Sequence, residues 1–372
     1  MLLTLKVKLN PTNEQRKKLL CTMETFNAAF DDISRDAYES KTFNKIKLQH
    51  RLYYRIREQY RLPAQLAIRA ISKVIEGYRV ERRHLHVFDP RGAMVYDQRI
   101  MSLKGLDKVS LATIEGRETI PLLVGDYARL EQRALRGQAD LLYIKKEFYL
   151  CLIYEQQEEP PFTPEDYLGV DLGIVKLAST SDGLSYSGEE VDAVREHYTR
   201  VKAGLQRVGS KNSKRKLRRL SGREARFKRY TNHVISKELV AVAKGTRRAL
   251  ALEDLGGIRS RGTVRSGQRD RLEKWAFSQL RGFVEYKAKL SGVPVLVVDP
   301  RDTSRRCSRC GCVDKRSRVS QSGFICRACG YESNADLNAA CNIQWRADVN
   351  QPIAVCQRVL ELEPQAHHFS GG

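Results

Sequence analysis

The segment Cys307-Ser-Arg-Cys310, followed after fifteen residues by Cys326-Arg-Ala-Cys329, decides how the C-terminal part of this chain folds. Two C-x2-C pairs at this spacing place four thiolates at the corners of a tetrahedron, which is the ligand set of a closed structural zinc site. We therefore expect one zinc ion on Cys307, Cys310, Cys326 and Cys329. Cys312 lies two residues beyond the first pair and is expected to be a spare thiol, with a stray zinc ligand as the alternative.

An acidic residue, Asp336, opens the apolar, helix-favouring segment Asn-Ala-Asp-Leu-Asn-Ala-Ala that follows the second cysteine pair. The zinc ligands are already supplied, so this carboxylate needs another role. Two further carboxylates have a similar position: Asp171 follows the apolar run Leu-Gly-Val, and Glu253 ends the buried-type strand Arg-Ala-Leu-Ala-Leu. A carboxylate in or beside a buried strand is costly unless it is paired with a cation.

If these three carboxylates converge, they can hold two divalent metal ions. Mg²⁺ prefers a few oxygen ligands together with water and phosphate, and two such ions about 3.5–4 Å apart promote phosphodiester hydrolysis. For each carboxylate alone an ordinary role is the better interpretation: Asp336 as a helix N-cap, or Glu253 as a strand end beside Asp254. The cysteine pairs between the second and third carboxylates, together with the basic composition, favour a magnesium site made by all three.

The chain is strongly basic, because its 372 residues include 66 Lys and Arg against 44 Asp and Glu, a formal net charge of +22. Such an excess indicates a polyanionic partner, and nucleic acid is favoured over an anionic membrane surface. No run of about 18 apolar residues predicts a membrane span, and the N-terminus does not read as a signal peptide. Nine cysteines, four of them in metal spacing, indicate a reducing compartment, so we expect a cytoplasmic protein.

Positive charge is densest between Arg195 and Arg229. Because the charges there are almost all of one sign, a bound anion is needed to relieve their repulsion, and a phosphate backbone suits this role. A merely solvated surface is the alternative interpretation. The residues expected to bind nucleic acid are Arg207, Lys211, Lys214, Arg215, Lys216, Arg218 and Arg219.

Periodicity indicates the organisation of the N-terminal half. An alternating strand at residues 3–9 precedes a helix for which Thr12 is the N-cap and Gln15 completes a capping box, and two more helices follow. From residue 84 onward short strands dominate, including predicted hairpins at residues 84–96 and 141–154. This pattern predicts a small β-barrel with the three helices inserted after its first strand. The proline-rich residues 158–165 are the predicted linker to the second half.

Several separate blocks of the second half resemble the RuvC-type nuclease domain of the TnpB family, which are transposon-encoded RNA-guided endonucleases akin to type V CRISPR effectors. The blocks are residues 168–173, 232–236, 251–255, Trp275 with 286–288, 303–304, the two cysteine pairs, and 334–343. They lie in the family order between residues 165 and 348. The resemblance implies a catalytic triad of Asp171, Glu253 and Asp336 that also binds Mg²⁺, and it assigns the zinc to the same four cysteines.

The resemblance implies a multidomain α+β fold. Residues 1–10 and 84–157 would form a wedge-like β-barrel, and residues 11–83 a helical recognition insert. Residues 166–302 and 333–348 would form an RNase H-like (RuvC) α/β nuclease domain into which residues 303–332 insert as a zinc ribbon. Residues 349–372 remain an unassigned tail.

The resemblance also implies a function: a prokaryotic, RNA-guided and metal-dependent DNA endonuclease, associated with the nucleoid through DNA. Its cofactors would be one structural zinc ion, catalytic Mg²⁺ (two ions) and a guide RNA derived from the transposon end. Its target would be double-stranded DNA beside a short transposon-adjacent motif. One alternative is an RNA-guided DNA-binding regulator that has lost cleavage, although all three carboxylates are present. A second is a strand-transfer transposase, which uses the same kind of triad and is disfavoured only by the family blocks.

Overall fold

The structure is a computed structural model in which residues 1–105, 107–123, 125, 134–173, 175–254 and 277–349 are described. The chain divides after Gln157 into two units, and the predicted linker, residues 158–165, begins at this division. Leu255, Trp275, the basic loop 259–269 and the tail beyond residue 349 lie outside the described residues. None of the described helices is long and apolar enough to cross a membrane.

The first unit contains a seven-stranded antiparallel sheet with the strand order β2-β6-β7-β1-β5-β4-β3. Its strands are β1 (Leu2–Leu9), β2 (Met94–Tyr96), β3 (Met101–Lys104), β4 (Lys108–Thr113), β5 (Gly116–Leu123), β6 (Ala134–Ile144) and β7 (Glu147–Glu155). The two edge strands, β2 and β3, are joined by residues 97–100 alone, so the edges must lie close together. The sheet is therefore a nearly closed barrel, as the sequence predicts.

Three helices follow β1, as predicted: α1 (Asn13–Glu39), α2 (Lys45–Tyr60) and α3 (Ala64–Val80). The capping box of α1 is present, because Thr12 accepts a hydrogen bond from the Gln15 backbone and the Gln15 side chain accepts one from the Thr12 backbone. The core of this unit is continuous between the inner faces of the helices and the barrel strands.

The predicted hairpin at residues 84–96 is wrong. Only Met94–Tyr96 forms a strand, and its partner is β6. The aromatic rings of the preceding segment pack on the helices instead. The ring centres of His86 and Tyr78 are 4.4 Å apart, and those of Phe88 and Phe30 are 4.9 Å apart in an edge-to-face contact. These aromatic contacts outweigh the alternating pattern, so the barrel resumes at Met94 rather than at residue 84.

The second unit is built on a five-stranded sheet with the order β10-β9-β8-β11-β12. The strands are β8 (Asp166–Asp171), β9 (Lys176–Thr180), β10 (Ser185–Ser187), β11 (Arg248–Glu253) and β12 (Val295–Val298). β8, β11 and β12 are parallel, whereas β9 and β10 are antiparallel to their neighbours. Helices α4 (Glu189–Val208), α5 (Lys211–Leu220) and α6 (Arg223–Gly245) lie between β10 and β11 in sequence, and α7 (Phe277–Leu290) precedes β12.

The last helix, α8 (Ala335–Val349), packs on the sheet face opposite to α6 and α7. Alternation along β11 separates the two faces: Leu250 and Leu252 pack with α6 and α7, while Ala249 and Ala251 pack with α8. Small side chains let α8 come close to the strands. At Gly169 any side chain is excluded, because a Cβ atom would collide with the Ala340 carbonyl and lie 2.6 Å from the Gln344 nitrogen.

Candidate active site and zinc site

Asp171 and Glu253 are the last residues of the adjacent parallel strands β8 and β11, so they lie at the same end of the five-stranded sheet. Val170 is paired with Leu252 in the parallel ladder between β8 and β11, and the two acids are the next residues of their strands. The carboxyl ends of parallel strands are the usual place for ligand sites in open α/β sheets. The sequence placed both acids at strand ends, and the topology brings those two ends together.

Asp336 lies in the first turn of α8. The N-cap of this helix is Asn334, whose Oδ1 accepts hydrogen bonds from the backbone nitrogens of Asp336 and Leu337 at 3.1 and 3.3 Å. The alternative role of Asp336 as an N-cap is therefore wrong. Because α8 packs against β8 at Gly169, its first turn can carry this carboxylate toward the end of that strand.

The three carboxylates interact electrostatically. Burial, and then the negative charges of Glu253 and Asp336, raise the pKa of Asp171 to about 8, against the opposing charge of Arg318. Burial also raises the pKa of Glu253, against its hydrogen bond from Thr303. Burial without a paired cation raises the pKa of a carboxyl group, and nearby negative charge raises it further. The site therefore has a deficit of positive charge that a divalent cation would balance.

The side-chain oxygens of Asp171, Glu253 and Asp336 are not closely clustered in the structure. Within the described residues, the ligand atoms of the four paired cysteines all lie within 4.8 Å of one another, and no other group of three or more potential metal ligands is that compact. The oxygens of Asp171, Glu253 and Asp336 do not meet that distance as a set. Like charges repel one another, which favours this wider spacing.

A buried hydroxyl beside Asp171 is consistent with a hydrated cation. Ser179 is the cross-strand partner of Asp171, so the two side chains project from the same face of the sheet. The Ser179 hydroxyl is buried and has no hydrogen-bond partner among the described residues. An unpartnered buried hydroxyl is costly, and a metal-bound water would satisfy it. Three carboxylates with this hydroxyl therefore fit Mg²⁺, which keeps several of its waters when bound.

Two residues at this site were not predicted as site residues. The Thr303 hydroxyl donates a hydrogen bond to Glu253 Oε1, and Arg318 Nη2 lies 3.8 Å from Asp336 Oδ1. Thr303 falls in one of the family blocks, but its sequence carries no local sign of this contact. Arg318 lies in the loop between the two cysteine pairs, and no spacing rule could have linked it to an acid 18 residues later.

The four cysteines predicted as zinc ligands come together. The Sγ atoms of Cys307 and Cys329 are 3.8 Å apart, and those of Cys310 and Cys326 are 3.5 Å apart. Backbone N–H groups of Cys329 and Ala328 lower the pKa of Cys326 to about 6, which favours the thiolate that a metal requires. Four sulfur ligands suit a closed, structural zinc site.

The two cysteine pairs fold as matching knuckles. In the first, the backbone nitrogen of Cys307 donates to the Cys312 carbonyl, and that of Gly311 donates to the Cys307 carbonyl. In the second, the backbone nitrogen of Cys326 donates to the Tyr331 carbonyl, and that of Gly330 donates to the Cys326 carbonyl. Both glycines have positive φ, 76° and 69°, a conformation that other residues rarely adopt. Cys312 thus contributes its carbonyl to the knuckle, and its sulfur is outside the cluster of four.

The basic segment covers most of α4, all of α5 and the start of α6, and most of its charged side chains face solvent. All seven residues predicted to bind nucleic acid are exposed, and none of them forms an ion pair within the described part of the chain. The neighbouring Glu224 is instead neutralised by Lys202 and Lys228 at 2.9 and 3.1 Å. The surface of α5 (Lys211–Leu220) therefore presents positive charge that no described acid balances.

Comparisons with known proteins confirm the resemblance to the TnpB family. The family model OrfB_IS605, described as "Probable transposase", matches residues 151–255, and the model described as "Cas12f1-like, TNB domain" matches residues 277–343. The CRISPR-associated endodeoxyribonuclease Cas12f1 of Sulfoacidibacillus thermotolerans is 32% identical over 217 residues, which is 54% of this chain and 50% of that protein. A TnpB-like protein of Methanocaldococcus jannaschii is 35% identical over 155 residues, which is 40% of this chain and 55% of that protein.

This chain thus spans about half the length of these two curated relatives. Among solved structures, the cryo-EM structure of a Cas12f1–sgRNA–target DNA complex resembles it with a TM-score of 0.58 at 13% identity. That match covers 92% of this chain and 98% of the other. At this identity the likeness concerns the fold, which is a multidomain α/β fold of the kind seen in that effector.

Proposed function

We propose that this protein is an RNA-guided, Mg²⁺-dependent DNA endonuclease whose catalytic residues are Asp171, Glu253 and Asp336. The observation that carries the proposal is that Asp171, at the end of β8, is buried close to the other two acids: burial, and then the charges of Glu253 and Asp336, raise its pKa to about 8. Among the relatives, the name CRISPR-associated endodeoxyribonuclease Cas12f1 states cleavage of DNA.

The order and directions of the five strands support an RNase H-like (RuvC) nuclease domain. In this arrangement, β8 and β11 deliver Asp171 and Glu253, and α8 delivers Asp336. Bound Mg²⁺, as two ions, would supply activation of the attacking water and stabilisation of the leaving oxygen in phosphodiester hydrolysis. The three carboxylates would hold these ions, and the Ser179 hydroxyl would bind a water of their hydration shell.

The remaining parts have distinct proposed roles. The zinc held by the four cysteines stabilises the ribbon, residues 303–332, and leaves no open position for catalysis. The exposed residues of α5, with Arg207, bind the phosphate backbone of RNA or DNA. The barrel, with the helical insert of residues 11–83, holds the guide RNA and reads a short motif in duplex DNA.

A strand-transfer transposase is the second candidate, since the matching family model carries that description. The two candidates differ in what they require: RNA-guided cleavage needs a matching guide, whereas strand transfer needs transposon-end DNA and joins it to a target. A regulator without cleavage would bind the guide and its target equally well but leave the DNA intact.

The test is cleavage of a plasmid carrying a guide-matched target by the purified protein–RNA complex in Mg²⁺. Separate Ala variants of Asp171, Glu253 and Asp336 should each abolish cutting while RNA and target binding persist, because affinity rests on many Lys and Arg contacts. Asp182→Ala is a matched control, since this acid of the same unit pairs with Arg248, at the opposite end of β11 from Glu253. Cutting by any of the three triad variants at the wild-type rate would contradict the assignment.

A further inference from the structure

Thr303 is a buried residue whose side chain is directed at Glu253. The residue is 3% exposed, and its hydroxyl donates to Glu253 Oε1 while lying 3.0 Å from the Pro300 carbonyl. A hydroxyl has one proton to donate, and a charged carboxylate is a stronger acceptor than a neutral carbonyl. The Thr303 proton therefore goes to Glu253 and fixes the rotation of that carboxyl group.

Thr303 is itself held by helix α8 through Asn342. The Asn342 side-chain nitrogen donates to the carbonyl of Thr303 at 2.8 Å and to the carbonyl of Arg306 at 2.6 Å. Its side-chain oxygen accepts a hydrogen bond from the Arg306 guanidinium at 3.0 Å. The guanidinium also lies 3.5 Å from the centre of the Trp345 ring. Both donors and the acceptor of this buried amide are thus used to fasten residues 303–306 to the helix.

Asn338, one turn earlier on the same face of α8, extends this attachment to the first cysteine knuckle. Its side-chain nitrogen donates to the Arg306 carbonyl at 2.8 Å, and its oxygen accepts from the Ser308 backbone at 2.9 Å. Asn338 and Asn342 are 0% and 1% exposed. Residues 303–308, which we call the strap, are therefore clamped to the helix that also carries Asp336.

We propose that Thr303 is a positioning residue that fixes the Glu253 carboxylate relative to Asp336, and that Asn342 and Asn338 fix the strap from which Thr303 acts. A continuous series of contacts joins the two acids: helix α8 carries both Asp336 and Asn342, Asn342 binds the strap, and Thr303 of the strap binds Glu253. It sets the spacing of two carboxylates that come from separate elements. This inference rests on the proposed function in taking Glu253 as a metal ligand.

The test measures metal binding directly, with Mn²⁺ as the probe and no nucleic acid present. Thr303→Val removes the hydroxyl at nearly constant volume, and Thr303→Ser keeps it. Free Mn²⁺ is followed by electron paramagnetic resonance in a titration of the full chain. Loss of a residue that orients a metal ligand typically weakens metal binding by roughly 10–100-fold. We expect a loss in this range for Thr303→Val and recovery in Thr303→Ser.

Thr231→Val is the matched control, because the Thr231 hydroxyl donates to the Phe227 carbonyl at 3.2 Å within α6. This variant should bind Mn²⁺ like the wild type. Melting temperature and zinc content of Thr303→Val should also match the wild type. A Thr303→Val protein that loses Mn²⁺ affinity only together with zinc or cooperative unfolding would overturn the positioning role.

The variant Glu253→Ala distinguishes a failure of the positioning role of Thr303 from a failure of the proposed function. If Glu253→Ala loses Mn²⁺ affinity but Thr303→Val does not, the positioning role is wrong and the metal site stands. If Glu253→Ala binds Mn²⁺ and cuts DNA like the wild type, the proposed function fails and the inference fails with it.

Discussion

A single carboxylate, Asp171, shows how the proposed catalytic site lowers the stability of the fold that carries it. Its pKa rises from 3.8 to about 8 because the group is buried beside two other acids. Below pH 3.8 the group is protonated in both the folded and unfolded states and costs nothing. As the pH rises to about 8, the unfolded state releases the proton more readily, so folding becomes progressively less favourable.

Asp171→Asn should therefore stabilise the protein when no Mg²⁺ is present. The gain should grow between about pH 4 and pH 8 and should shrink when Mg²⁺ is added, because the ion then offsets the repulsion in the wild type. Thermal unfolding in Mg²⁺-free buffer without chelator, so that the zinc stays bound, and in Mg²⁺ measures this, at roughly 2–4 °C for each kcal/mol in a unit of this size. A variant less stable than the wild type in Mg²⁺-free buffer at neutral pH would contradict the electrostatic account.

The residues of the site differ in how readily the sequence reveals them. Asp171 and Glu253 end apolar strands, and Asp336 begins an apolar helix, so each is conspicuous as a charge at a buried edge. Thr303 and Arg318 have no such signature. They act on the site because the ribbon folds back on the sheet, and that path depends on contacts such as those of Asn338 and Asn342 rather than on any local pattern.

At the scale of elements, the two cysteine knuckles are small units that we expect a metal ion to stabilise. Binding of zinc by four thiolates contributes on the order of 10–16 kcal/mol to local folding. We expect about one zinc ion per chain by elemental analysis, lost in Cys310→Ser together with the structure of residues 303–332. Cys312→Ser is the control and should keep its zinc. A Cys310→Ser protein of normal zinc content and stability would exclude the structural zinc site.

Helix α5 is the element on which the nucleic-acid prediction depends. Replacing Lys214, Arg215, Lys216 and Arg218 together by Gln should weaken binding without changing the preferred sequence, because phosphate contacts carry no sequence information. Each lost contact lowers the slope of log K against log salt by about 0.7–0.9, so four lost contacts lower it by about 3.

The matched control exchanges Lys for Arg and Arg for Lys at the same four positions, which keeps the charge and the helix propensity. Its salt slope should equal that of the wild type. If the Gln variant also keeps the wild-type slope, α5 is a solvated surface and the phosphate contacts lie elsewhere.

Elements with strong local signals were predicted well, and those fixed by distant contacts were not. The capping box of Thr12 and Gln15 locates the start of α1, because both of its hydrogen bonds lie within one turn. Residues 84–88 alternate like a strand, yet their aromatic rings find better contacts on α1 and α3. The short strands β3 and β4 were missed as well, although β4 forms hairpins with its sequence neighbours β3 and β5.

At the scale of the whole molecule, the two units have separate hydrophobic cores. Such units can carry separate tasks, and here we assign motif reading to the first and cleavage to the second. Base-specific contacts require side chains that reach the edges of the bases. The exposed basic residues of the second unit follow helices in the manner expected of backbone contacts, so we expect them to supply affinity rather than sequence choice.

Target choice should therefore belong to the guide RNA. Replacing the guide segment should redirect cleavage to the new matching site, provided that the flanking motif is kept. Exchanging residues 1–157 for those of a relative, with its matching RNA scaffold, should change the motif but not the cleavage chemistry. Cutting of a plasmid library randomised beside the target measures both effects. Cleavage of targets unmatched to the guide, or cleavage without RNA, would replace RNA guidance by a plain nuclease or a transposase.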